Sequence, residues 1–494
     1  MKNSNRKTSL HMALIMMAGI VLFVAGCSSA PRQLVFEAKK RVEALNFSNK
    51  KPDVKKAISS RGEPKPVTLV NEASQEPFDP ASVADSDIVT LTTSYKVTAH
   101  GQADAGGTSG WNGHSKVVMT TLIPKTVEGK QKVLSTDFNV KPTKVFDLGD
   151  NRYAQFDVGN AKQDFTIRVI TKIKLFRYDL SVALNNKAVT TLNNKDLKEY
   201  LKAEKYIETG DPTIKALAQQ VKGEDEMETL NKTYRFVTKN MIYDMKKVNS
   251  THWEALGAAK AARVKKGVCV EFADLFVALC RANGVPARCI GGITTERTAA
   301  TKGHAWVEAY TKKYGWIPFD PTWGQSKGAT FYKLRPSYIY LSDVRNDDML
   351  NNADIFGYSY YGVPVDIDYS ASISSYRADY LNSMLASINK YKPELSQMKS
   401  QLDAFYAATE ADRAQINQTK SSIKQVKSQI EAAKDTDIAT YDSLVTKHNN
   451  LVATYNSQIA AFNKKVGEYE AMRKAYEAKR QEENSLIERY NKLN

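Results

Sequence analysis

The sequence predicts a multidomain chain with three folded parts: an N-terminal β-sandwich-like domain, an α+β core and a C-terminal α-helical coiled coil. Three observations carry this. Apolar residues alternate with period two between residues 87 and 175. Around Cys269 they recur at helical spacing and are followed by two strand-like runs. Beyond Pro393 they keep 3-4 heptad steps. The 494 residues are too many for one core, and 42% hydrophobic with 25% charged residues is an ordinary globular composition.

Residues 1–26 read as a signal peptide. Lys2, Arg6 and Lys7 precede an apolar run from Met12 to Ala25, which is too short to span a bilayer. The run ends Val24-Ala25-Gly26-Cys27-Ser28-Ser29, which resembles a bacterial lipobox. That resemblance implies a lipid on Cys27 and a place in the cell envelope, anchored to the outer membrane or at the cell surface. Removing the three basic signal residues lowers the formal charge from +16 to +13, a balance that suits anionic lipid or wall polymers. No nucleic-acid motif is present, and export excludes that class of partner. Residues 27–86 begin with helical spacing at Leu34, Val35, Ala38, Val42 and Leu45. They continue as a polar stretch with Lys and Pro, read as a lipid-anchored helix and tether.

Residues 87–190 form the β domain. Val89, Leu91, Thr93, Tyr95 and Val97 alternate, as do Phe165, Ile167, Val169, Thr171, Ile173 and Leu175. His100 and His114 flank a glycine-rich loop, but without carboxylate or thiolate partners they predict no metal site.

The core is assigned to residues 195–345. Asp211-Pro212 opens a helix, Leu230 to Ile242 is another, and Thr251-His252-Trp253-Glu254 has capping-box form before Ala255 to Ala262. From Glu271 to Asn283 the positions Phe272, Leu275, Phe276, Leu279 and Cys280 predict a helix that stops at Asn283-Gly284-Val285-Pro286. Cys269 then lies within its first turn, after Gly267, where unpaired N–H groups and the helix dipole favour a thiolate. Cys280 and Cys289 read as buried thiols or as a pair. His304 to Tyr310 and Tyr314 to Asp320 read as a hairpin around Thr311-Lys312-Lys313. Pairing Tyr310 with Tyr314 sets His304 opposite Asp320 on one face, where a carboxylate can orient an imidazole. A slip of one residue would put them on opposite faces.

Gly267-Val268-Cys269-Val270-Glu271-Phe272-Ala273-Asp274-Leu275, Asn283-Gly284-Val285-Pro286-Ala287-Arg288, Gly303-His304-Ala305-Trp306-Val307-Glu308 and Phe319-Asp320-Pro321-Thr322-Trp323 together resemble the bacterial transglutaminase-like core, a fold similar to papain-like cysteine proteases. The resemblance spans roughly residues 206–323. It implies Cys269 as nucleophile, His304 as base and acid, and Asp320 as the orienting group. It further implies an upstream aromatic donor for the oxyanion, for which Trp253 and Tyr243 are both candidates. No metal and no cofactor are implied.

Residues 346–373 are rich in tyrosine and read as a connector. From 374 to 494 the chain reads as coiled coil: Leu395, Met398, Leu402 and Phe405 start a seam that restarts out of phase after Asp435-Thr436-Asp437. The break predicts a helical hairpin, a continuous rod with a local skip being the alternative. The combined expectation is an exported, lipid-anchored, cysteine-dependent acyl-transfer enzyme acting on peptide or protein amides, including those of the cell envelope. Hydrolysis is favoured over amine cross-linking because water is always present. The coiled coil would recruit a partner or self-associate. The alternative is a catalytically inactive scaffold of the same fold.

Overall fold

The computed structural model describes residues 52–69, 84–99, 115–161, 164–183, 194–248, 250, 254–295, 303–326, 329–362, 364–433 and 438–493. The signal segment, Cys27, the helix expected near residue 34, His100, His114, His252 and Trp253 lie outside the described residues. The chain divides into two units, with Val89–Ser374 in the first and Ser375–Asn494 in the second.

In the first unit the period-two segments build two sheets. One runs in the order Lys65–Pro66, Lys144–Leu148, Asn151–Ala161, Ser115–Leu122, Phe356–Gly362. The other runs Val365–Ser375, Ser86–Ala99, Phe165–Phe176, Gln131–Phe138. Tyr95, Met119, Phe156, Ile167 and Ile367 from both sheets meet in one core. Residues 346–373 are therefore no connector. They give each sheet an outer strand, and Val365, Ile367, Tyr369, Ala371 and Ile373 alternate buried with more exposed neighbours. Nor are residues 52–69 a tether. Asp53 caps a helix over Val54–Arg61, its carboxylate accepting the Lys56 N–H at 3.0 Å. Arg61 donates to the Tyr153 hydroxyl at 2.6 Å and to Asp347 at 2.7 Å.

Between Phe176 and Phe356 the chain leaves the sheets and builds the α+β core. Helices Pro212–Val221, Glu226–Asn240, Ala258–Val264 and Cys269–Ala282 pack with an antiparallel sheet ordered Gly315–Phe319, His304–Thr311, Ala287–Thr294, Tyr338–Ser342. Asp211 and Asp225 cap the first two helices through the N–H groups of Thr213 and Glu228, both at 2.7 Å. The alanine-rich helix starts at Ala258 rather than Ala255. Gly257 takes a left-handed φ of 77°, and a Cβ there would meet the Glu208 carboxylate at 2.4 Å.

Glu308 ties this core to the β sheets. Its carboxylate accepts from Lys130 of the β domain and from the Arg288 guanidinium at 3.0 and 2.8 Å, while Arg288 also reaches Asp150 at 3.0 Å and Asp343 at 2.7 Å.

The second unit holds two long helices, Tyr376–Ala432 and Ile438–Leu493. They run antiparallel: Tyr391 donates to Glu482 at 3.2 Å, Phe405 lies 6.4 Å from Tyr469, and Lys465 meets Asp412 at 2.6 Å. The hairpin is thus the arrangement adopted, not the rod. Leu395, Leu402, Thr409 and Ile416 are buried at steps of seven.

Candidate active site

Cys269 is the first residue of its helix, which runs to Ala282 and ends at Asn283 before Gly284 with φ 79°. Glu271 organises this end. Its Oε2 accepts the Val268 N–H at 2.8 Å, and its Oε1 accepts Lys247 Nζ at 2.7 Å and the Leu256 N–H at 3.1 Å. The fully buried carboxylate thereby occupies the start of the helix, where a negative charge is favoured. Gly267 allows this approach, since a Cβ at that position would sit 2.5 Å from that of Glu271. Cys269 is half-buried, whereas Cys280 and Cys289 are buried free thiols, so the pairing considered for them does not occur. Burial pushes both of those thiols up.

The hairpin brings the other two residues together in a register different from the expected one. Tyr310 pairs with Trp316 and Val307 with Phe319, around a turn at Lys312-Lys313-Tyr314 closed by Gly315 at φ 67°. Relative to the expected pairing the strands are offset by two residues. An offset of two preserves the face, so Asp320 meets His304 diagonally instead of directly opposite. Pro318 is tolerated because its strand is the edge of the sheet. Ala305, Val307 and Ala309 share the apolar cluster of Phe272 and Phe276, and their small side chains let the Cys269 helix pack closely on the strand.

His304 Nε2 lies 2.8 Å from Asp320 Oδ2, and both residues are buried. The same oxygen accepts the Tyr338 hydroxyl at 2.8 Å. Oδ1 accepts the backbone N–H groups of Thr322 and Trp323, both at 2.9 Å. Asp320 thus has four donors and one orientation. Trp323 stacks on the imidazole with centroids 4.8 Å apart. Burial lowers the His304 pKa, but the charge and hydrogen bond of Asp320, then the hydrogen bond and charge of Cys269, outweigh it and raise it to about 10. With Nε2 committed to Asp320, Nδ1 is left for the Cys269 sulfur. The ring thus sits between the Asp320 carboxylate and the Cys269 sulfur, and its protonated form is favoured there.

This shift has a consequence for stability. A pKa raised from 6.5 to about 10 stabilises the fold fully below pH 6.5, and that contribution is lost as pH rises through about 10. The melting-temperature advantage of wild type over Asp320→Asn should therefore shrink steadily between pH 7 and pH 10. A constant difference across that range would show that Asp320 does not hold the proton on His304.

Of the two oxyanion candidates, Trp253 lies outside the described residues. Tyr243 pairs with Gly267, two residues before the cysteine, in a short parallel bridge. Burial first, then the charges of Cys269, Asp320 and Glu271, push its hydroxyl up, so it stays a protonated donor. In the sequence Tyr338 is one of several tyrosines beyond Trp323, with nothing to link it to Asp320. It lies in the strand at the far edge of the sheet, and only the folded sheet brings it to Asp320.

Residues 215–321 match the model of the transglutaminase-like superfamily. The chain carries a transglutaminase-like domain. That transglutaminase-like segment contains Cys269, His304 and Asp320. The uncharacterized protein YebA of Bacillus subtilis is 35% identical over 80 residues, covering 14% of this chain and 11% of that relative. The chain therefore spans about a tenth of the length of that curated relative. Similar solved structures include a candidate cysteine protease from Cytophaga hutchinsonii, at 18% identity and TM-score 0.39 over 59% of this chain and 98% of that one. The periplasmic domain of TgpA from Pseudomonas aeruginosa is 16% identical with TM-score 0.26, over 53% of this chain and 96% of that domain.

Proposed function

We propose that this chain is a cysteine-dependent acyl-transfer enzyme acting on peptide or protein amides, with hydrolysis as its main outcome. The observation that carries the reading is a half-buried cysteine at a helix N-terminus, beside an imidazole that Asp320 holds at 2.8 Å. In this mechanism the Cys269 thiolate attacks the amide carbonyl, and the backbone N–H of Cys269 together with Tyr243 or Trp253 receives the oxyanion. The imidazolium gives its proton to the departing ammonia or amine. Water, deprotonated by the now neutral ring, then cleaves the thioester; a second amine at this step would give cross-linking instead. Trp323 covers one face of His304 and limits competition from solvent for the His304–Asp320 bond.

The same proposal places the protein in the cell envelope through a lipid on Cys27 and treats the helical hairpin as a coiled coil that recruits a partner or a second copy. Intact-mass measurement of the membrane fraction tests the first part: a wild-type N-terminus without acyl chains would remove the anchor. The reaction is tested with a peptide library supplied together with a fluorescent amine. New termini at amide bonds are expected, with little amine incorporated. Incorporation exceeding cleavage would replace hydrolysis by cross-linking, and neither product would leave a binding scaffold.

A further inference from the structure

We propose that Tyr338 is a positioning residue for this site, whose hydroxyl limits how strongly Asp320 holds the His304 proton. The inference rests on the triad reading above. Tyr338 Oη donates to Asp320 Oδ2 at 2.8 Å, and His304 Nε2 lies at the same distance from the same oxygen. Two donors therefore divide one lone-pair-bearing atom. An oxygen that already accepts an O–H bond is a weaker partner for a second donor, because part of its charge is taken up.

The placement supports a built arrangement. Tyr338 opens the strand Tyr338–Ser342, pairs with Thr294 across the sheet and is buried. Its ring packs on Trp306 at 5.1 Å and on Trp323 at 5.4 Å, the same tryptophan that stacks on the imidazole. The phenol is thus wedged on the side of Asp320 that faces the histidine. Burial, then the charge and hydrogen bond of Asp320, then the charges of Tyr340 and Tyr234, keep it protonated, so it remains a donor across the working range. Other groups that bear electrostatically on the pair are Cys269, which faces His304, and Tyr243 and Tyr234, which both sense Asp320.

The chemistry asks for such a brake. His304 must hold its proton until the tetrahedral intermediate forms, yet release it then to the leaving amine. A carboxylate with no competing donor would stabilise the imidazolium too well and slow that release. Tyr338 tempers the pair without neutralising Asp320.

The test needs no substrate. The His304 ring carbon resonance, in protein labelled at histidine, is followed from pH 6 to pH 11 in wild type, Tyr338→Phe and Asp320→Asn. Asp320→Asn should lower the His304 midpoint. Tyr338→Phe should raise it, by about half a pH unit or more, since the hydrogen bond it removes goes to a charged group. A loss of packing alone would admit water and lower the midpoint, so the sign separates tuning from structure. A fluorinated tyrosine installed at position 338 keeps the ring and strengthens the donor, and it should move the midpoint down even if Tyr338→Phe folds poorly. A midpoint unchanged or lowered in Tyr338→Phe, with Asp320→Asn behaving as stated, overturns the role of Tyr338 and leaves the triad standing. No response to Asp320→Asn either would overturn both.

Discussion

Cys269→Ala should abolish turnover, by roughly a thousandfold or more, because a nucleophile removed from a unit of cooperating residues takes the whole covalent route with it. The melting temperature should move little, since Cys269 is half-buried at a helix start and the change removes one sulfur atom from the edge of the core. The same side chain can be read chemically in wild type. Iodoacetamide at neutral pH should modify Cys269 first, while Cys280 and Cys289 lag, because both are buried and their thiols are pushed up. His304→Ala should slow that modification by removing the cation facing the sulfur. Peptide mapping after brief alkylation reads all three cysteines at once. If Cys269 reacts no faster than the buried pair, or ignores His304→Ala, the enzyme reading fails and the domain is better treated as a binding module.

How much of this was legible in the sequence depends on how local the signal was. Cys269 at the start of its helix follows from Gly267, the apolar spacing to Leu279 and the stop at Asn283-Gly284, all within one segment. The meeting of His304 and Asp320 was readable although the register was not. Gly315 accepts a positive φ and so moves the turn forward, offsetting the pairing by two residues, and strand periodicity is blind to an even offset. The strand Val365–Ser375 had a plain signal in Val365, Ile367, Tyr369, Ala371 and Ile373, masked by the tyrosines just before it. The strand Phe356–Gly362 had less, because it pairs with Ser115–Leu122 across more than two hundred residues. Tyr338 had only the tyrosine-rich run around it as a local signal, with no periodicity to place it. Its role arises only when a strand at one edge of the sheet and the residue following the strand at the other are brought to the same imidazole.

Glu308→Ala should be the most damaging substitution to the fold, costing about 3–5 kcal/mol, the usual penalty for removing one partner from a buried charge network. Glu308 is fully buried and accepts from Lys130 and from two nitrogens of Arg288. Arg288 would keep Asp150 and Asp343, but Lys130 would lose the carboxylate that offsets its desolvation, and its ammonium would be pressed toward the neutral form. Urea unfolding followed by circular dichroism measures the loss. The decisive comparison is a double change. Lys130→Met placed in a Glu308→Leu background removes the stranded ammonium and should recover the share of the loss that Lys130 contributes, while Arg288 Nε and Nη2 stay without their acceptor. A Glu308→Ala loss under about 1 kcal/mol, the range of an exposed ion pair, would show that water reaches the network and that it does not hold the β sheets to the core. The effect should extend to the site. Glu308 lies on the strand of His304 and on the same face as Trp306, which packs against Tyr338. Loosening that strand therefore loosens the histidine, and turnover should fall together with stability, whereas Cys269→Ala separates the two.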